Sequence, residues 1–177
     1  IDAATAGETV AVVSSGDAGV YGMAGLVLEL AGERDDLDIE IVPGVSAAFA
    51  AAAALGSPLT NDFACISLSN LLTPLPIIER RLRAVAEADL VVALYNPRSL
   101  TRTEPFDLAL DILNVARGSD TLVGVVRDAC REGQQATITT LGELDPECVD
   151  MSTILIVGNA ETRIIGGRMV TPRGYRV

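Results

Sequence analysis

The chain contains no histidine, no lysine and no tryptophan among its 177 residues. Without histidine, Ser–His–Asp and Cys–His mechanisms are excluded, as are most catalytic zinc sites. We therefore predict no metal site, and any catalysis must use carboxylates, hydroxyls, amides, backbone groups or a reactive cosubstrate. Aromatic residues are also scarce, at 3%, although 49% of the chain is hydrophobic. A core of Val, Leu, Ile and Ala is typical of a sheet covered by helices.

Long apolar runs are absent as well. No segment approaches the ~20 residues that a membrane helix needs, and no signal peptide is visible. The three cysteines, Cys65, Cys130 and Cys148, are odd in number and fit neither a zinc pattern nor a disulfide framework. We expect them to be buried thiols in a cytoplasmic protein that has no membrane partner.

Positive charge is scarce and unevenly distributed. The net charge is −11, which argues against nucleic acid as a partner, because phosphate binding needs a basic surface. Residues 1–79 contain one Arg and eleven acidic residues, whereas residues 80–177 contain twelve Arg and thirteen acidic residues. Arg can bind carboxylates through two hydrogen bonds, which would suit a polyanionic ligand. Genomic base composition explains the missing lysine equally well.

The order of apolar segments and turns predicts an α/β protein with a domain boundary between residues 60 and 61. In the first domain, 1–60, we predict strands at 10–13 and 39–42 and helices at 22–31 and 46–55. Because about sixty residues are few for a doubly wound domain, we expect this one to be incomplete at its amino terminus. In the second domain, 61–177, three strands alternate with two helices, and later short strands pair as an antiparallel edge. The predicted elements of the second domain are strands 65–69, 90–94, 122–126, 136–140, 154–157 and 168–170, helix 76–88, and a helix ended by Gly118.

Small and polar residues cluster where predicted strands end. The loop SSGDAGVYG (residues 14–22) follows a strand and opens a helix, and ligands of open α/β sheets bind outside the carboxyl ends of strands. Asp17 could accept hydrogen bonds from a ligand, or it could be a helix N-cap. The segments 43–47, 95–98 and 127–129 also follow strands. Ordinary turn chemistry explains each of them singly, and their recurrence at one edge favours function.

Five motifs occur together and in order in the chain: VSSGDAGVYGMAG (13–25), VPGVSAAFAAAAALGSPLT (42–60), SLSNLLTP (67–74), YNPRS (95–99) and TPRGY (171–175). With these motifs the chain resembles the tetrapyrrole methylase family, and within it the precorrin-3B C17-methyltransferase branch. The resemblance implies two α/β domains, the second a mixed sheet with helices on both faces. The family's amino-terminal strand and glycine-rich loop are not found in this chain, and Asn70 stands where the branch usually has Asp.

The same resemblance implies that S-adenosylmethionine is the cosubstrate, bound in a cleft between the two domains. Carried over residue by residue, its contacts come from both domains, and the last two residues below would lie near the adenine. The implied cosubstrate-binding residues are Ser15, Gly16, Asp17, Val20, Ser46, Ala47, Asn96, Ala129 and Thr153.

The reaction implied by the resemblance is methylation of C17 of precorrin-3B with contraction of the macrocycle, in cobalamin biosynthesis. Asp128 and Tyr21 are the candidates for acid–base catalysis. Arg98 and Arg102 are candidate clamps for the tetrapyrrole's carboxylates, or else ordinary surface charges. We also expect a homodimer, since an open sheet edge invites pairing. Two alternatives stay open: a methylase acting at another macrocycle position, and an inactive truncated fragment or binding module.

Overall fold

The computed structural model describes residues 1–175, which form two compact units. The first unit comprises Ile1–Ala47 and the second begins at Ala48. The helix between Ser46 and Gly56 lies almost wholly in the second unit. The domain boundary that the sequence predicts at residues 60 and 61 stays a prediction.

The first unit contains helices α1, Asp2–Thr5, and α2, Ala24–Ala31. The strands predicted at 10–13 and 39–42 are wrong, because no residue of the first unit that the structure describes lies in a strand. Short apolar segments predict an extended backbone, but a strand also needs a partner for its hydrogen bonds. Together with α2, the two segments line a groove of about 480 Å³.

Up to residue 175, the second unit contains two sheets, three α-helices and one short 3-10 helix, Pro146–Cys148. The large sheet has the strand order β2-β3-β6-β4-β5, and the small one has the order β1-β8-β7. The helices and strands are α3, Ala47–Leu55; β1, Gly56–Ser57; β2, Phe63–Ser67; α4, Leu75–Glu87; β3, Val91–Tyr95; α5, Glu104–Arg117; β4, Leu122–Arg127; β5, Gln135–Thr140; β6, Thr153–Val157; β7, Arg163–Ile165; and β8, Arg168–Val170.

The large sheet is mixed, as predicted. Strand β3 pairs parallel with β2, whereas β6 lies antiparallel between β3 and β4, and β5 pairs antiparallel with β4. The expectation that the last strands form an edge is therefore wrong for β6, whose five residues are all buried at the centre of the sheet. In the small sheet β7 and β8 form an antiparallel hairpin, but only β7 is an edge strand, because β8 also pairs parallel with β1. The turn of the hairpin, Gly166-Gly167, has φ of 57° and 76°. Two consecutive positive φ angles are typical of a type I′ turn.

Helices cover both faces of the large sheet. On one face, α4 and α5 pack over Val92, Leu94 and Leu155. Strand side chains alternate between faces, and on the other face Gly124 leaves space that the side chain of Leu55 from α3 fills. The hydroxyl oxygen of Tyr95 accepts a 2.9 Å hydrogen bond from the backbone N–H of Ala48 on the same helix. The prediction of a mixed sheet with helices on both faces is thus confirmed.

The cysteines do not all lie in the core. Cys65 is half-buried in β2, but Cys130 and Cys148 are exposed. The expectation that all three are buried is wrong for those two, because neither lies in an apolar strand: Cys130 is in a turn and Cys148 ends a short 3-10 helix. Burial raises the pKa of the Cys65 thiol, since it disfavours the thiolate.

Candidate functional site

Three candidate residues of the second unit meet at one edge of the large sheet. Because β2, β3 and β4 run in the same direction and β6 runs against them, their carboxyl ends lie beside the amino end of β6. Asn96 directly follows β3, and Ala129 is the second residue after β4. Thr153 begins β6, where it pairs with Arg127 of β4. Residues that are far apart in the sequence are therefore brought to the edge where open α/β sheets bind ligands.

Asn96 is held in an unusual backbone conformation. Its φ of 50° is uncommon for a residue with a side chain. The side-chain amide donates a 2.9 Å hydrogen bond to Ser67 Oγ at the end of β2, and the backbone carbonyl accepts a 2.9 Å bond from Arg102 Nη2. These contacts fix the loop after β3. Such a backbone conformation is strained and persists only where surrounding contacts hold it in place. Residues of this kind are often found at binding sites.

Thr153 is buried and its hydroxyl is already engaged. The hydroxyl donates a 2.9 Å hydrogen bond to Asp150 Oδ1, and Asp150 Oδ2 lies 2.9 Å from Arg127 Nη2. The backbone N–H of Ser152 donates to the same carboxylate at 2.9 Å. The Thr153 N–H also donates to the Asp150 carbonyl at 3.1 Å. Asp150 therefore joins the start of β6 to the end of β4 and holds Thr153 in place.

Asp128 and Ala129 lie in the turn that follows β4. Asp128 has a φ of 50°, its N–H donates to the Ser152 carbonyl at 3.0 Å, and its carboxylate lies 3.8 Å from Arg127 Nε. Cys130, two residues on, also has a positive φ of 57°. The small Ala129 side chain between these two constrained residues leaves the backbone accessible, as a ring-binding position requires.

In the first unit, Asp17 joins two loops. Asp17 Oδ1 accepts a 2.8 Å hydrogen bond from the Gly19 N–H, and Oδ2 accepts a 2.9 Å bond from the Gly44 N–H. The N–H groups of Gly44 and Gly19 lower the pKa of Asp17 below its ordinary value, because they stabilise the charged carboxylate. The N-cap interpretation is wrong, since α2 begins at Ala24 and its N-cap is Met23.

The close approach of these loops requires glycine at position 44. A Cβ atom on Gly44 would lie 2.1 Å from the Gly16 carbonyl oxygen and 3.2 Å from the Asp17 Cα. The segment 43–47 thereby lies against the loop that contains Gly16 and Asp17. Six predicted cosubstrate-binding residues belong to these two adjoining segments of the first unit: Ser15, Gly16, Asp17, Val20, Ser46 and Ala47.

The remaining residues of these segments differ in exposure. Ser46 is buried and directly precedes α3, whereas Ser15 and Val20 are exposed. Tyr21, the second catalytic candidate, is 54% exposed and has a φ of 54°. Its place on the same loop agrees with a role close to a bound ligand. The catalytic roles predicted for Tyr21 and Asp128 stay predictions.

The two candidate substrate clamps are engaged with protein groups. Arg98 donates to the Pro146 carbonyl at 2.7 Å and forms an ion pair with Glu147. The hydrogen bond to Glu147 raises the pKa of Arg98. Arg102 donates to the carbonyl oxygens of Leu68 and Asn96 at 2.8 and 2.9 Å. The sequence did not indicate these partners, and the substrate-binding roles of both residues stay predictions.

Sequence reasoning assigned no role to three residues that shape the site. The Gly44 N–H donates a hydrogen bond to Asp17, Ser67 Oγ accepts one from Asn96, and Asp150 Oδ1 accepts one from Thr153. The Pro-Gly pair at 43–44 was the one signal for the first. Ser67 and Asp150 act through tertiary contacts or a local turn, which residue types alone do not indicate. Each of the three holds a predicted ligand-binding residue in place.

Neither a metal-binding cluster nor a membrane-spanning helix is found among residues 1–175, the part of the chain that the structure describes. No group of three or more Cys, Asp or Glu side chains in that range could hold a metal ion. Nor does any helix in the described part of the chain have both the length and the apolar character needed to cross a membrane.

Comparison with known proteins assigns the family. The profile of the Tetrapyrrole (Corrin/Porphyrin) Methylases matches residues 1–145. The chain is 51% identical to a probable cobalt-factor III C(17)-methyltransferase of Salmonella typhimurium, over 99% of this chain and 73% of that protein. It is 47% identical to the protein of the same name from Methanocaldococcus jannaschii, over 95% of this chain and 71% of that protein. The crystal structure of the methyltransferase CobJ has a TM-score of 0.90 and 41% identity, over 97% of this chain and 73% of that one. The chain therefore belongs to the Tetrapyrrole (Corrin/Porphyrin) Methylases.

Proposed function

We propose that this protein methylates C17 of a tetrapyrrole in cobalamin biosynthesis, with S-adenosylmethionine as the methyl donor. The observation that carries the proposal is the meeting of Asn96, Ala129 and Thr153 at the carboxyl edge of the sheet, in a chain of this family. Relatives at 51% and 47% identity bear the name cobalt-factor III C(17)-methyltransferase. The predicted reaction also includes contraction of the macrocycle.

The residues present suit S-adenosylmethionine chemically. The absence of a side chain at Gly44 lets the segment 43–47 lie against Gly16 and Asp17, and the small side chain of Ala129 leaves room for a planar ring. The proposed contacts are those inferred from the sequence: Ser15, Gly16, Asp17, Val20, Ser46, Ala47, Asn96, Ala129 and Thr153. When bound, the cosubstrate would supply a methyl group that its sulfonium already makes electrophilic.

The protein's own task is then to orient the methyl donor toward the acceptor carbon and to exclude water. Arg102 fixes Asn96 through its carbonyl, and Asp150 fixes Thr153 through its hydroxyl. We therefore expect neither residue to rearrange when a ligand binds. We propose that Asp128 and Tyr21 exchange the protons that ring contraction requires, since a carboxylate and a phenol both suit acid–base work. A pH–rate profile that Asp128→Asn leaves unchanged would remove Asp128 from this role.

The identity of the tetrapyrrole has two candidates. The names of the relatives favour cobalt-factor III, whereas the sequence motifs favour precorrin-3B. We propose that Arg98 and Arg102 help to bind the carboxylates of either substrate. For Arg98 this requires a substrate carboxylate to replace Glu147. Arg98→Gln should then raise the KM for the tetrapyrrole, and an unchanged KM with a lowered Tm would leave Arg98 a purely structural role.

Calorimetry with S-adenosylhomocysteine tests the proposal and separates it from a non-catalytic binding module. The protein, expressed from its natural gene, should bind one molecule per chain. Ala129→Leu should weaken binding by about tenfold or more, because the larger side chain occupies the space proposed for the ring. The control is Ala160→Leu, which makes the same change at an exposed loop position after the opposite end of β6, whereas Ala129 is half-buried. Absence of binding by the wild type, or equal loss in both variants, would contradict the proposal.

We further propose that the protein is cytoplasmic and that it forms a homodimer. The dimer is supported by the apolar surface of the first unit, where Val10, Val12 and Val13 are 48%, 59% and 89% exposed. Surfaces of this kind often mark an interface. Light scattering at micromolar concentration should give twice the mass of the chain, and a monomer would contradict this part of the proposal.

A further inference from the structure

Three leucines near the candidate site are almost fully exposed. Leu71, Leu72 and Leu100 have 84%, 92% and 104% of their surface accessible, and we call them the leucine patch. A single exposed leucine is ordinary in a soluble protein, whereas a group of them on adjoining loops is more informative. At this exposure the three side chains contribute nothing to the core.

The two loops that carry the leucine patch leave neighbouring strands at the same edge. Strands β2 and β3 are parallel and in register, with Ser67 opposite Tyr95. Leu71 and Leu72 lie in the loop after β2, and Leu100 lies in the loop after β3. The patch is therefore at the carboxyl edge, where Asn96 also lies.

Arg102 joins these loops and fixes Leu100. Its Nη1 donates to the Leu68 carbonyl of the first loop, and its Nη2 donates to the Asn96 carbonyl of the second. The backbones of Ser99 and Arg102 exchange two hydrogen bonds of 3.1 and 3.3 Å, which closes a tight turn with Leu100 at its tip. The exposed leucine is thus held outward by defined contacts.

The charge beside the leucine patch indicates its occupant. The hydrogen-bond acceptors of Arg102 are two carbonyls and the Met151 sulfur, and none of the ion pairs found within residues 1–175 includes Arg102. A positive charge without a carboxylate partner therefore lies next to an apolar surface, in a protein of net charge −11. A ligand that matches both features has a broad apolar face and anionic groups at its rim.

From this combination we propose that the leucine patch is the platform on which the flat apolar face of the tetrapyrrole lies, with its peripheral carboxylates drawn toward Arg102. This inference rests on the proposed function and adds to it a surface that recognises the macrocycle. A second copy of the chain is a poorer occupant. Three leucine side chains expose on the order of a few hundred Å², less than the roughly 800 Å² per partner of a standard protein interface.

The test compares the wild type with the triple variant Leu71→Gln, Leu72→Gln, Leu100→Gln. The control is Val115→Gln, which changes a residue of α5 that is 89% exposed and lies outside both loops. Each protein is titrated with cobyrinic acid, a stable corrin polycarboxylic acid, and binding is followed by the corrin's visible absorbance. Affinity for S-adenosylhomocysteine, the Tm and the mass by light scattering are measured in parallel.

We expect the triple variant to raise the Kd for cobyrinic acid on the order of a hundredfold. The variant removes three leucine side chains that the bound ligand would partly cover. Its S-adenosylhomocysteine affinity and Tm should stay at the wild-type values, and Val115→Gln should change nothing. If the wild type binds cobyrinic acid and the triple variant binds it equally well, this inference is overturned and the proposed function stands. If the triple variant loses only self-association, the patch is an interface between copies and the inference is also overturned. If the wild type binds neither cobyrinic acid nor S-adenosylhomocysteine, both fail together.

Discussion

Replacing Arg117 should destabilise the second unit without affecting the candidate site. The side chain is only 4% exposed at the end of α5. Its Nη1 donates to the Gly158 carbonyl at 2.7 Å, and its Nη2 donates to the carbonyls of Val85 and Leu90 at 3.0 and 2.6 Å. One guanidinium therefore satisfies carbonyl acceptors in the last turn of α4, before β3 and after β6.

The expected magnitude follows from the acceptors that lose their donor. Arg117→Ala removes the guanidinium from the Gly158 and Leu90 carbonyls, at a cost of about 1–3 kcal/mol apiece, whereas the Val85 carbonyl still accepts from the Leu90 N–H at 3.2 Å. Burial lowers the pKa of Arg117, because desolvation disfavours the charge, and relief of that desolvation offsets part of the loss. A net loss of about 3 kcal/mol is expected. At about 2 kcal/mol per molar urea, the unfolding midpoint should fall by roughly 1.5 M.

Urea unfolding followed by far-UV circular dichroism measures this change, since the chain has no tryptophan. Arg117→Lys should recover part of the loss, because one ammonium group cannot reach all three carbonyls. The control is Arg83→Ala, which removes an exposed pair with Glu79 one helical turn away and should cost only about 0.5 kcal/mol. The contacts of Arg117 lie at the end of β6 opposite Thr153, so S-adenosylhomocysteine affinity should not change. A midpoint shift no larger than that of Arg83→Ala would refute this reasoning.

Three further changes test the loops and the packing of the sheet. Gly44→Ala should weaken S-adenosylhomocysteine binding about tenfold or more by calorimetry, because its Cβ would lie 2.1 Å from a backbone oxygen, whereas Gly25→Ala, with open space around it, should not. Because the folded-state pKa of Asp17 lies below its ordinary 3.8, its stabilisation is present above that pH and is lost as the pH falls through the folded value. The difference in urea midpoint between wild type and Asp17→Asn should therefore be constant near neutral pH and shrink below about pH 4; a difference that grows on acidification would contradict this. Gly124→Ala should lower the free energy of unfolding by about 1–3 kcal/mol, since its Cβ would lie 2.2 Å from a methyl carbon of Leu55, and an unchanged Tm would show that this contact yields freely.

Much of the second unit could be predicted from the sequence because its strands are continuous apolar runs. The prediction of 90–94 corresponds to β3, Val91–Tyr95, and the end of α5 at Gly118 agrees with that residue's φ of 89°. The position of β6 at the centre of the sheet could not be predicted, because pairing between distant strands leaves no mark in the segment itself. In the first unit, short apolar segments indicated strands, but an apolar segment does not supply a partner strand.

The candidate site was only partly accessible to sequence reasoning, for a related reason. Polar and small residues after consecutive strands indicated one edge, and Asn96, Asp128 and Ala129 lie there. The partners of the arginines could not be foreseen, since Arg98 and Glu147 are separated by 49 positions. Long side chains reach acceptors that only the folded chain brings near.

Transfer of a labelled methyl group tests the central claim most directly. The protein is incubated with S-adenosylmethionine carrying carbon-13 in its methyl group, with cobalt-factor III or precorrin-3B as acceptor, and the product is examined by carbon-13 NMR. We predict one labelled methyl group, attached to C17, on at least one of these substrates. No transfer to either substrate, or a label on any other macrocycle carbon, would contradict the proposed function.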